Sequence, residues 1–171
     1  MFKLNETVVY VRDVCKVTKV DEKKKYYTLA PIDDESLTIK IPFDNDKVRP
    51  LISKKEVEEI INQIPDIEVI NLKNHKMVEN EYKKLLNSNE HLNLIKIIKT
   101  ARLRNQERID NNKKTSERDS TYFNLAEKLL YNEFAAVLGK TFEETQDYVL
   151  EKVTILKEKE WKQTYLLKYV V

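Results

Sequence analysis

The chain has 171 residues, with 31 Lys and Arg against 29 Asp and Glu, and its formal net charge of +2 does not mark it as a nucleic-acid binder. Its 41% hydrophobic content supplies a core, and its length fits one ordinary domain or two small ones. A single glycine, Gly139, excludes every glycine-rich phosphate loop, while one cysteine, Cys15, and two histidines, His75 and His91, leave neither a disulfide nor a zinc frame.

No apolar run reaches the length of a membrane span, and the opening residues Met1 to Glu6 carry no signal-peptide pattern. The expectation is a cytoplasmic protein with no membrane association. From Thr7 onward, β-branched and aromatic residues alternate or cluster in four runs: Val8 to Val11, Val14 to Val20, Tyr26 to Leu29, and Leu37 to Ile41. Turn formers separate them at Arg12-Asp13, at Asp21 to Lys25 and at Asp33 to Ser36, which predicts a small antiparallel β barrel or rolled sheet. In the fourth run Leu37, Ile39 and Ile41 are expected on the core face, with Thr38 and Lys40 outward.

At Ser53 the period changes. Ser53 and Glu56 form a capping-box pattern, Val57, Ile60, Ile61 and Ile64 make a helical stripe, and Pro65 ends it. Residues 66–74 are read as a linker or short strand. Four helices are expected beyond, over 77–86, 90–111, 116–138 and 142–159, separated by Asn87-Ser88-Asn89, by Asn111 to Thr115, and by Gly139 as a left-handed C-terminal residue. Thr141 and Glu144 repeat the capping-box pattern. The fold class is therefore α+β, with domains at 1–65 (barrel and exit helix), 66–74 (linker), 75–153 (helical bundle) and 154–171 (an apolar helical tail with Trp161).

Catalysis requires a nucleophile with its base, a metal cage or two unlike carboxylates, and no such set stands out. Asp33-Asp34-Glu35 reads as a solvated turn, His91 as a surface residue in a helix's first turn, and Cys15 as packing. The chain is expected to be no enzyme, with no cofactor, no metal and no small-molecule substrate. Basic residues remain, at Lys23-Lys24-Lys25, Lys83-Lys84, Lys96, Lys99, Arg102, Arg104, Arg108 and Lys113-Lys114, interleaved with acids.

The order of features resembles a known family. Phe2-Lys3, Val8-Val9-Tyr10, Leu37-Thr38-Ile39-Lys40-Ile41-Pro42, Asn45, Val48-Arg49-Pro50-Leu51-Ile52-Ser53, Ala126-Glu127-Lys128-Leu129-Leu130, Asn132-Glu133-Phe134-Ala135 and Leu138-Gly139 follow the CarD family of bacterial transcription regulators, also called CdnL-like, over residues 1–153. The resemblance implies an N-terminal Tudor-like domain, shared with the transcription-repair coupling factor, that binds the RNA polymerase β subunit. It also implies a helical domain touching promoter DNA. Thr38, Ile39, Lys40 and Ile41 match the strand that pairs with polymerase, and Lys23 matches a basic contact at a hairpin. The family's minor-groove tryptophan aligns with His75. By charge and position, Lys76, Lys83, Arg102 and Arg104 join His75 as the expected DNA contacts. An alternative keeps the polymerase contact and gives the helical domain and Trp161 tail a protein partner instead of DNA.

Overall fold

The structure, a computed structural model, describes residues 1–71 and 74–169, without the side chains of His75 and of residues 161–169. It divides into two units, Met1–Ser53 and the chain from Lys54 onward.

The first unit is an antiparallel sheet of five strands, β1 (Thr7–Tyr10), β2 (Asp13–Asp21), β3 (Tyr26–Pro31), β4 (Ile39–Pro42) and β5 (Val48–Pro50), in the order β4-β3-β2-β1-β5. Strands β1 to β4 pair in succession as hairpins, and β5 returns to β1 with Val9 opposite Arg49. One face holds the core: Val8, Cys15, Val17, Tyr27, Leu29 and Ile41 are buried, and Ile39 of β4 and Val48 of β5 pack against them. Tyr27 lies between Phe2 and Phe43, at centroid distances of 5.7 and 4.4 Å, and its hydroxyl accepts from the Phe2 amide.

Both edge strands serve one core, yet β4 and β5 do not pair, so the expected closed barrel is corrected to an open sheet. The prolines explain this. Bonded and non-bonded pairs alternate along an antiparallel ladder. Phe43 donates to the Lys25 carbonyl, and Val11 to that of Lys47, which puts the peptide groups of Lys40 and Pro42 on one open edge and those of Val48 and Pro50 on the other. Neither proline carries an N–H to offer across the gap. A second correction concerns Leu37, which precedes β4 and is 48% exposed instead of core-facing.

The second unit contains α1 (Lys54–Gln63), a 3-10 turn (Ile64–Asp66), α2 (His75–Asn87), α3 (His91–Asp110), α4 (Glu117–Leu138) and α5 (Phe142–Tyr169). The expected boundary at residue 65 moves to Ser53, because α1 packs on α4 and α5 and buries Val57 and Ile61 within this unit's run of helices. The stretch expected as a linker is pinned on its N-terminal side. Lys99 Nζ on α3 donates to the carbonyls of Ile64, Pro65 and Ile67, and the Ile70 amide donates to Thr100 Oγ1 at 2.9 Å. α5 runs without a break through residue 154, where a separate tail was expected. The Trp161 side chain lies outside the described residues.

Local sequence accounts for the helix ends. Ser116 Oγ accepts from the Asp119 amide at the start of α4, and Gly139, at φ 63°, closes its end. Thr141 and Glu144 form the reciprocal capping box of α5, with bonds of 3.1 and 2.8 Å. α3 and α4 pack as an antiparallel hairpin about the Asn111 to Thr115 turn, and Ile97 of α3 and Leu130 and Phe134 of α4 are buried.

Candidate functional site

On the sheet, the segment expected to meet polymerase is split by the pleat. Ile39 is half-buried and Ile41 buried against the core, Lys40 is exposed opposite Thr28, and Thr38 is exposed just before β4 begins. Lys40's peptide group is the only one within β4 that turns both an N–H and a carbonyl to the open edge, because Pro42 has no N–H and its carbonyl accepts from Asn45. Lys23 sits exposed in the β2–β3 turn, which Asp21 stabilises through the Lys24 amide. Phe43 donates to the Lys25 carbonyl, so the turn that carries Lys23 adjoins the end of β4.

In the helical unit the expected DNA residues separate. Lys76 is exposed in the first turn of α2, which Asn74 caps; His75 is the first residue of α2, but its side chain lies outside the described residues. Lys83 pairs with Glu79 at 3.1 Å, and this bond holds the lysine above and the carboxylate below its ordinary pKa. Arg102 is exposed on α3, and its charge reaches Glu127, whose pKa burial pushes up. Arg104 is different. Its side chain is 21% exposed, and Nε bonds both oxygens of Asp119, which is 2% exposed, at 3.2 and 3.3 Å.

The Arg104–Asp119 pair belongs to a buried network. Tyr82 of α2 donates its hydroxyl to Asp119 Oδ1 at 2.8 Å, so one carboxylate ties α2, α3 and α4 together. Burial, then the bond to Asp119, raises the Tyr82 pKa strongly, and the phenol stays a donor. A charged partner taken from such a pair leaves an uncompensated buried charge, which costs about 3–5 kcal/mol. Arg104 therefore holds the bundle together.

Two more polar contacts were missed by sequence reasoning. His91 Nε2 lies 2.8 Å from Glu133 Oε2, with side chains 16% and 4% exposed, and the ring stacks on Phe134. The surface role expected for His91 is thus corrected. Lys99, counted among the basic surface residues, spends its ammonium on three carbonyls, and burial lowers its pKa. The signal for two of these contacts lay in the α3–α4 turn. His91 and Glu133 stand at equal sequence distances on either side of Asn112, and Arg104 and Asp119 nearly so, as an antiparallel helical hairpin requires.

Elsewhere the Asp33-Asp34-Glu35 turn closes on itself, with Asp34 accepting from the Ser36 amide and hydroxyl. Among the described residues no three His, Cys, Asp or Glu side chains converge to hold a metal ion, and no helix is long and apolar enough to cross a membrane. No known family model matches the chain, and no curated protein matches it.

Proposed function

We propose that the chain is a non-enzymatic transcription regulator of the CarD-like kind, whose sheet docks on the β subunit of RNA polymerase and whose helical unit stands beside promoter DNA. The observation that carries this reading is the open edge of β4, with the Lys40 peptide and side chain both free of the core and the Lys23 turn adjoining the end of the strand. Such an edge accepts a partner strand by backbone hydrogen bonds, and alternate side chains select the partner. A four-strand meander with its fifth strand returned to the first, around one core face, supports the Tudor-like assignment. The regulator makes and breaks no covalent bond. It shifts promoter melting by the difference in its affinity for the two states, and a tenfold shift needs about 1.4 kcal/mol.

Calorimetric titration of the purified protein with a polymerase β-lobe fragment tests this, with Lys40→Glu in parallel. Binding at about micromolar affinity, lost in the folded variant, is the expected result. No binding, or equal binding by the variant, overturns the reading.

A second reading is favoured by one observation: Arg104 is locked on Asp119 and Lys83 is tied to Glu79, so among the described basic side chains expected at DNA only Lys76 and Arg102 remain exposed with no such carboxylate bond. In that reading the helical unit of a polymerase-bound adaptor engages a protein.

A further inference from the structure

Between α2 and α4 the helical unit carries an open groove of about 880 Å³ that neither the β4 edge nor the buried network uses. Glu79 lies beside Arg118, Tyr82 beside Tyr122, and Leu86 and Leu125 line the same groove, so the two helices run parallel along it. α2 contributes positions from Glu79 to Asn87 on one face, a length of about 12 Å, or two helical turns. The floor is apolar, made by Leu86, Tyr122 and Leu125. The rim is cationic. Lys83 and Arg118 share the Glu79 carboxylate, at 3.1 and 2.9 Å, and Arg108 closes one end with its Nε on the Lys114 carbonyl.

We propose that this groove docks a short amphipathic helix of a protein partner, with aliphatic side chains on its inner face and carboxylates along its flanks. The length fits a guest helix that anchors at i, i+4 and i+7, the usual mode of helix-in-groove recognition. The charge sets its sign: three cationic side chains line the groove against the two carboxylates of Glu79 and Glu117, and the positive end of the α4 dipole opens onto it. A nucleic-acid backbone fits less well, because it gains nothing from the apolar floor and meets both carboxylates. The Glu79 bridge also fixes the two rim cations before a guest arrives, which lowers the ordering cost of binding. The inference rests on the adaptor reading of the helical unit and is independent of the polymerase contact.

The test uses the full chain and a labelled peptide of about fourteen residues, with leucines at i, i+4 and i+7 and glutamates at the flanking positions. Fluorescence anisotropy measures affinity, and amide chemical shifts locate the site. Saturable binding with shifts confined to α2, the last turn of α3 around Arg108 and the first half of α4 is expected, weakened about tenfold when exposed Thr121 is changed to Trp to fill the groove. A peptide with lysines for glutamates should bind about tenfold more weakly too. Should Thr121→Trp fail to fold, Arg118→Glu on the exposed rim carries the same comparison. Shifts that map elsewhere overturn the groove and leave the adaptor reading standing; absence of any saturable binding overturns both. Displacement of the peptide by a short DNA duplex would assign the groove to nucleic acid and overturn the proposal.

Discussion

Val11 is a β-branched residue held at φ 59° in the β1–β2 turn, with its amide bonded to the Lys47 carbonyl. That backbone region crowds any Cβ, at a cost of about 1–2 kcal/mol, whereas glycine enters it freely and loses about 0.5–1 kcal/mol of chain entropy. Val11→Gly should therefore raise stability by roughly 0.5 kcal/mol, read as a higher thermal midpoint; a lower midpoint would show that the strain is relieved elsewhere. Cys15 offers a second check. Burial first, then the charge of Asp13, pushes its thiol from 9.0 up to about 11. The native thiol keeps its proton where the unfolded chain gives its up, so this group's contribution is intact below pH 9.0 and is lost as pH rises to about 11. Native protein at pH 8 should resist a thiol reagent that labels the unfolded chain within minutes. The sequence made Cys15 legible as packing, because valines flank it in a strand. It did not make Asp119 legible: an acid in the first turn of a helix ordinarily faces solvent, and only its partners across the helical hairpin reveal its burial.

Among the elements, the helices were legible almost to the residue wherever a cap chemistry marks an end, as at Ser116, Gly139 and the Thr141 box. β5 was not. Three residues ending in proline carry no alternation to read, and Val48–Pro50 becomes a strand only because β1 is there to pair with it. Closure of the sheet was misread for the same reason, since periodicity reports faces and says nothing of edges. The segment after α1 is held by two side chains of α3, Lys99 at its start and Thr100 at Ile70. Lys99 donates from its ammonium to the carbonyls of Ile64 and Pro65 in the 3-10 turn and of Ile67 just after it. Hydrogen bonds from a charged group contribute about 1.5–3 kcal/mol, less what burial of the ammonium costs. Lys99→Met should lower the unfolding free energy of the helical unit by about 1–3 kcal/mol in urea titrations followed by circular dichroism. A change within experimental error would mean that apolar packing alone holds Ile64 to Ile67 in place.

At the scale of the whole molecule, the division at Ser53 assigns α1 to the helices. A fragment of residues 54–171 should melt cooperatively, while one of residues 66–171, which lacks the buried Val57 and Ile61 and two of Lys99's acceptors, should melt at least about 10 °C lower. Equal melting points would return α1 to the sheet. The two prolines that stop the sheet from closing have a further effect. With Pro42 silent as a donor, β4 offers an incoming strand one N–H, that of Lys40, and hence one anchor point. A strand displaced by two residues toward Pro42 would find a proline ring where it needs a proton, and one displaced by a single residue would turn its side chains to the wrong face. The edge thus resists slippage toward Pro42, and a contact built on so few backbone bonds lets go easily: it is suited to a guest that visits and leaves, and unsuited to the endless stacking of one copy on the next.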